Sequence, residues 1–194
     1  MKTKKQKIGI IIFGFSGAGK SSIAKMLAKK LHLRVIHPSG ILRDLINNKI
    51  PRINDSKSGR GFWETPAGIK MFKDRLKLKT PIDFTCDKIL LREFDKGNVV
   101  IDSWSLPWIT NHGIKIYLKT NVSIRTKRVS KRSHISIKEA RRIVLMKDIK
   151  TRNLYLKHKD IDIKRDTKVF HLVINTDKLT KDEVCSKALC FVRK

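Results

Sequence analysis

Residues Gly14, Phe15, Ser16, Gly17, Ala18, Gly19, Lys20 and Ser21, with Ser22 behind them, fit the pattern G-x-x-x-x-G-K-[ST]. Small side chains at this spacing let successive backbone N–H groups point inward around an oxyanion. The chemistry such a loop serves is the holding of phosphate. A second set of residues suits the same ligand. Arg125, Arg128 and Arg132 recur at three- and four-residue intervals, so on a helix they project from a common face. Arg152 returns on the segment that follows, and Arg43 stands early in a helix after a second apolar run. A guanidinium in either place could grip phosphate with two parallel hydrogen bonds.

The flanks of the loop agree with its motif. Ile8 to Phe13 is a short, almost continuous apolar run of the kind expected of a strand covered on both faces. Ile23, Ala24, Leu27, Ala28 and Leu31 then recur at helical spacing, and a helix starting near Lys20 aims its positive end at the bound anion. Further strands are expected at Leu33 to Ile36, at Val99 to Asp102, at 114–118 and at 169–175. Between them lie helices after His37, from Thr65-Pro66, over 82–94, from Asn121 to Arg132, after Ser136 and after Thr180. Ser136-x-x-Glu139 and Thr180-x-x-Glu183 both have the spelling of a capping box. Strands alternating with helices give an α/β chain with a mainly parallel sheet. Residues 49–65 are turn-rich and basic and read as an insertion.

The totals narrow the class. At 194 residues the chain suits one compact domain with an appended lid or subdomain. No apolar run reaches the ~18–20 residues that span a bilayer. The start MKTKKQK followed by IGIIIFGF imitates an export signal, but cleavage there would destroy the phosphate loop, so a soluble, intracellular, cytoplasmic protein is expected. Cys86, Cys185 and Cys190 form no C-x-x-C pair and read as buried small hydrophobes; the scattered histidines suggest no structural metal. The net charge is +28, densest between Ile114 and Lys168, where eighteen Lys/Arg face five Asp/Glu. That surface suits either a phosphate-handling enzyme or association with RNA or a ribosome, and few aromatics interleave it as a base-stacking platform would require.

Among proteins with such a loop, a guanine-specific GTPase would need N-K-x-D near a strand end, and Asn175-Thr176-Asp177-Lys178 does not fit. A mechanical ATPase usually ends its second acidic strand with two acids, whereas this strand ends Asp102-Ser103. A kinase needs no acid to activate water; it needs a closing lid of cations and a second phosphate site. The segments around 124–157 and 38–97 supply candidates for both.

GFSGAGKSS, PSGILRDL with its S-G-x-x-x-R, GNVVIDS, RTKRVSKRSHIS, KTRNLY and LVINTDKLTKDEV occur in an order that resembles the nucleoside monophosphate kinases, most closely the cytidylate kinase-like branch of archaea and some bacteria. The resemblance covers nearly the whole chain and implies a P-loop kinase fold: a five-stranded sheet flanked by helices, with an acceptor-binding insertion and a helical lid. It implies ATP and Mg²⁺ as cofactors and a nucleoside monophosphate, CMP or dCMP, as acceptor. Carried onto this sequence, Lys20 spans the β- and γ-phosphates, Ser21 ligates Mg²⁺, and Asp102 orders the ion's water shell. Ser39, Gly40 and Arg43 hold the acceptor phosphate. Arg128, Arg132 and Arg152 neutralise the transferring phosphoryl group. Two positions depart from the pattern. Ser103-Trp104 stands where cytidylate kinases commonly carry a base-reading G-R, and Lys147 where a lid arginine is common. A kinase-fold RNA-binding protein with little turnover, and a kinase for another small acceptor, remain the alternatives.

Overall fold

The apolar runs assemble into one sheet of five strands, all parallel, in the order β2-β3-β1-β4-β5. In this computed structural model residues 8–53 and 61–194 are described; the basic leader 1–7 and residues 54–60 of the 49–65 insertion lie outside the described residues. The strands are β1 (Gly9–Phe13), β2 (Arg34–Ile36), β3 (Val99–Asp102), β4 (Ile114–Lys119) and β5 (Leu172–Asn175). From β1 the chain crosses to the far edge, returns through β3 beside β1, and then builds β4 and β5 on the other side. The order therefore reverses around β1, and ligands of open parallel sheets sit at such a reversal, beyond the carboxyl ends of the strands. Both the phosphate loop and Asp102 are at those ends.

The continuous apolar character of β1 follows from burial on two sides. Ile10 and Ile12 pack with Ala24 and Leu27 of α1 (Lys20–Leu31) and with Val184 and Ala188 of α8 (Lys181–Val192). Ile11 points the other way, to Ile41 of α2 (Pro38–Ile46) and to Leu90 and Phe94 of α4 (Ile82–Asp95). Between these two helices lie a 3₁₀ turn at Phe62–Glu64 and α3 (Pro66–Arg75). Thr65 caps α3 through Gly68 N–H, as Thr65-Pro66 suggests, and Gly68 is required there because an added Cβ would lie 2.0 Å from Phe62 O. A short α5 (Leu106–Ile109) follows β3, and α6 (Val122–Ser133) and α7 (Ile137–Lys159) form a helical hairpin closed by Val129, Ala140 and Val144. Among the described residues no helix is long and apolar enough to cross a membrane.

The sequence expectations need local corrections. Leu33 is not in β2, because its N–H closes the end of α1 on Ala28 O. β5 starts at Leu172, since the imidazole Nδ1 of His171 accepts from Lys115 N–H and takes the place of a ladder carbonyl. Thr180 and Glu183 form the full reciprocal capping box, but Ser136 supplies only half of one: Arg142 takes both oxygens of Glu139 at 2.9 and 2.6 Å. Cys86 and Cys185 are buried as expected. Cys190 is exposed, since it lies off the stripe of α8 that carries Val184, Cys185 and Ala188.

Candidate active site

The phosphate loop turns on two left-handed glycines, Gly17 at φ 82° and Gly19 at φ 99°. An L side chain is strained in that region, and at Gly17 a Cβ would also meet Arg125 O at 2.9 Å. The loop is clamped from outside by two residues of the helical hairpin. Asp148 of α7 accepts from Ser16 N–H at 3.1 Å, and Arg125 of α6 donates to Ser16 O at 2.9 Å and to the other Asp148 oxygen at 2.6 Å. Burial pushes the Asp148 carboxyl up, and Arg125 opposes the shift.

Lys20 Nζ donates to Gly14 O at 2.6 Å and lies 4.8 Å from the centre of the Trp104 ring. Burial pushes its pKa down to about 8, against the pull of Asp102 and Asp148. Ser21 Oγ donates to Asp102 Oδ2 at 2.6 Å, while the other Asp102 oxygen is 2.6 Å from Nδ1 of His37, the residue at which α2 begins. Two hard oxygens side by side at the ends of β1 and β3 are donors that Mg²⁺ accepts together with phosphate oxygens, so the pair fits that ion. No group of three or more His, Cys, Asp or Glu side chains gathers among the described residues.

One cavity joins this loop to residues of α2, α3 and α4. Its wall takes in Ser16, Gly17, Gly19, Lys20, Ser21, Ser22, Asp102, Ser39 and Arg132 of the residues singled out in the sequence, and Lys147 beside them. Arg132 and Lys147 meet on Glu64, at 2.9 and 2.5 Å. Burial opposes the charge on Glu64, but Lys147 and Arg132 together outweigh it and hold the carboxyl below its usual range. The common face of Arg125, Arg128 and Arg132 does turn toward loop and cavity, yet each has a different partner. Arg128 is bound to Thr176 O and Oγ1 and approaches Ala18 O at 3.5 Å. Arg152 pairs with Asp162, and Arg43 lies 5.3 Å from the Phe62 ring centre; neither they, Gly40 nor Arg128 line the cavity.

The α2–α4 side of the cavity has residues that the motifs did not reveal. Trp63, Phe72, Leu42 and Leu90 form apolar walls around buried Arg75, Asp83 and Asp87. Asp87 accepts from Ser105 Oγ at 2.6 Å and from Tyr155 OH at 2.8 Å. Burial still pushes its pKa up to about 6. A carboxyl whose folded pKa exceeds its unfolded value stabilises fully below the unfolded value, and that stabilisation is lost as pH rises through the folded one. The window runs from the ordinary 3.8 of a free aspartate to about 6, which corresponds to about 3 kcal/mol across it. Asp87→Asn removes the titration. The difference in unfolding free energy, wild type minus variant, is therefore expected to fall between pH 4 and pH 7 in denaturant titrations; a pH-independent difference would refute the raised pKa of buried Asp87. The signal available in sequence was scarcity: the chain has only 17 acids, and among the described residues seven (Asp44, Glu64, Asp83, Asp87, Glu93, Asp102, Asp148) are buried.

Residues 10–178 match the model of the cytidylate kinase-like family. A cytidylate kinase of Sulfolobus acidocaldarius is 32% identical over 90% of this chain and 88% of its own length, and one of Pyrococcus horikoshii is 27% identical over 93% and 85%. Among solved structures, shikimate kinase of Acinetobacter baumannii superposes with a TM-score of 0.56 at 16% identity, covering 97% of this chain and 94% of that one. Deoxyadenosine kinase of M. mycoides gives 0.53 at 15% identity, over 96% of this chain and all of that one. At these identities the superpositions speak for the fold alone.

Proposed function

Because the chain belongs to the cytidylate kinase-like family, we propose that it is a nucleoside monophosphate kinase that moves the γ-phosphoryl group of ATP, with Mg²⁺, onto CMP or dCMP. The observation that carries this reading is a cavity walled on one side by the phosphate loop and on the other by α2, α3 and α4, with Arg132 and Lys147 between. Donor and acceptor phosphates can meet there. Phosphoryl transfer asks the protein mainly for positioning and for charge against the equatorial oxygens, and these residues are cations and backbone donors.

In this scheme loop N–H groups and Lys20 hold the β- and γ-phosphates. Ser21 and Asp102 would hold Mg²⁺, which when bound would neutralise charge on the phosphate oxygens. Ser39, in the first turn of α2 and on the cavity wall, faces the acceptor phosphate; Gly40, whose N–H closes on His37 O, shapes that turn, and Arg43 joins Ser39 on leaving the Phe62 ring. Arg132 and Lys147 face the transferred group. Arg128 and Arg152 reach it only by leaving Thr176 and Asp162, a rearrangement suited to a lid over 124–157. Lys147 presents a point charge where an arginine would present a planar fork. Trp104, beside Lys20, keeps water from the site.

Initial rates of ADP formation from ATP with CMP, dCMP, UMP, AMP and shikimate test the reading. The expected result is turnover with CMP or dCMP far above the rate without acceptor. No turnover on any monophosphate, together with RNA binding that weakens steeply with salt, would replace it with the binding-protein alternative.

A further inference from the structure

The acceptor end of the cavity contains a charged pair with two atoms lacking partners. Arg75, at the end of α3, and Asp83, in the first turn of α4, are each 6% exposed, and Arg75 Nη1 meets Asp83 Oδ1 at 3.2 Å. Arg75 Nε and Asp83 Oδ2 are buried with no hydrogen-bond partner. Orphaned atoms of this kind carry a penalty unless something satisfies them. Both residues line the cavity, and the walls beside them, Trp63 and Phe72, are flat and apolar. The Arg75 guanidinium lies 4.4 Å from the Phe72 ring centre, which fixes the plane of its donors.

A donor and an acceptor held side by side between aromatic walls suit the edge of a planar ring that offers the complementary pair. We infer that Arg75 and Asp83 read the base of the acceptor, Arg75 donating to a ring nitrogen or carbonyl and Asp83 accepting from an exocyclic amino group, so that cytosine is selected over uracil. The inference deepens, and rests on, the monophosphate kinase reading above. It moves base recognition from the position of Ser103-Trp104 to α3 and α4. Trp104 faces Lys20, and Ser103 Oγ accepts from Ser105 and Leu106 N–H at the start of α5. Uracil carries an oxygen where cytosine carries the amino group, and Asp83 has no hydrogen to offer it. Asp87 does not compensate, because its two oxygens already receive the Ser105 and Tyr155 hydroxyls.

The test compares kcat/KM for CMP, UMP and the monophosphate of pyrimidin-2-one riboside, which is CMP without its amino group, at saturating ATP. Wild type is expected to favour CMP over both by about 10- to 100-fold or more, the worth of one well-placed base contact. Asp83→Asn should raise the KM for CMP by a similar factor, narrow the CMP to UMP ratio at least tenfold, and leave the KM for ATP unchanged. Arg75→Lys, which keeps the charge and loses Nε, should also raise the KM for CMP. An unchanged CMP to UMP ratio in a folded Asp83→Asn protein would overturn the inference. Should that variant fail to fold, wild type decides alone: equal use of CMP and the deamino analogue overturns it while leaving the kinase reading intact. A wild type inactive on every monophosphate removes both, and is told apart by that inactivity.

Discussion

Lys20→Ala is expected to lower kcat with ATP and CMP by about a thousandfold while leaving the fold intact. The ammonium sits in the loop that would hold the β- and γ-phosphates, and removing one preorganised contact to charge that grows in a transition state costs about 10²- to 10³-fold. Loss of a full charge, and not of a single neutral donor, places the effect at the upper end of that range. Stability should not fall with it. Burial has already pushed the Lys20 pKa down to about 8, so the charge is held at a cost that alanine relieves. Lys20→Met, which keeps most of the volume, controls for packing. The pair of measurements is kcat from initial rates and the unfolding midpoint by circular dichroism. A variant with near-wild-type turnover would remove the loop from the reaction, and one that melts far below wild type would make Lys20 a structural residue.

Asp148→Ala should be the most damaging change to the fold near the site. It strips the partner from Arg125, which is 6% exposed, and from Ser16 N–H in the phosphate loop. Breaking one side of a buried ion pair costs about 3–5 kcal/mol because the other charge stays buried. For a domain of this size that corresponds to about 10 °C in the unfolding midpoint. Asp148→Asn keeps an acceptor for Ser16 and should fall between alanine and wild type. Loss of activity is expected alongside, since the loop would no longer be held at Ser16. A midpoint within 2 °C of wild type for the alanine variant would show that Arg125 finds another partner and that the clamp does not hold the loop.

The contrast between Lys20 and Asp148 shows what could be read from the sequence and what could not. The loop is local: eight consecutive positions and two flanks carry the information, so strand, turn and helix were all legible. The same holds for the Thr180–Glu183 capping box and the stripe of α1. Asp148 meets Ser16 across 132 residues and Glu64 meets Lys147 across 83. No local pattern marks such pairs, and in α7 Asp148 reads only as one acid among lysines and arginines. Arg152 illustrates the reverse case, since its position in the motif order suggests the transferred phosphoryl group whereas its side chain rests on Asp162, ten residues on. Asp83 and Asp87 were visible in principle as two acids one helical turn apart in an acid-poor chain. Their burial, which gives them meaning, depends on how α3 and α4 pack and could not be read from spacing.

The central claim is that donor and acceptor phosphates share one cavity and that the γ-phosphoryl group passes between them. ³¹P NMR of the protein incubated with ATP, Mg²⁺ and CMP observes this directly, because each phosphorus of substrate and product is resolved. The expected result is that ATP and CMP signals decline together while ADP and CDP grow in equal amounts, with little free phosphate. ADP accompanied by inorganic phosphate and unchanged CMP would contradict it, since the group would then have gone to water and the second wall of the cavity would not be an acceptor site.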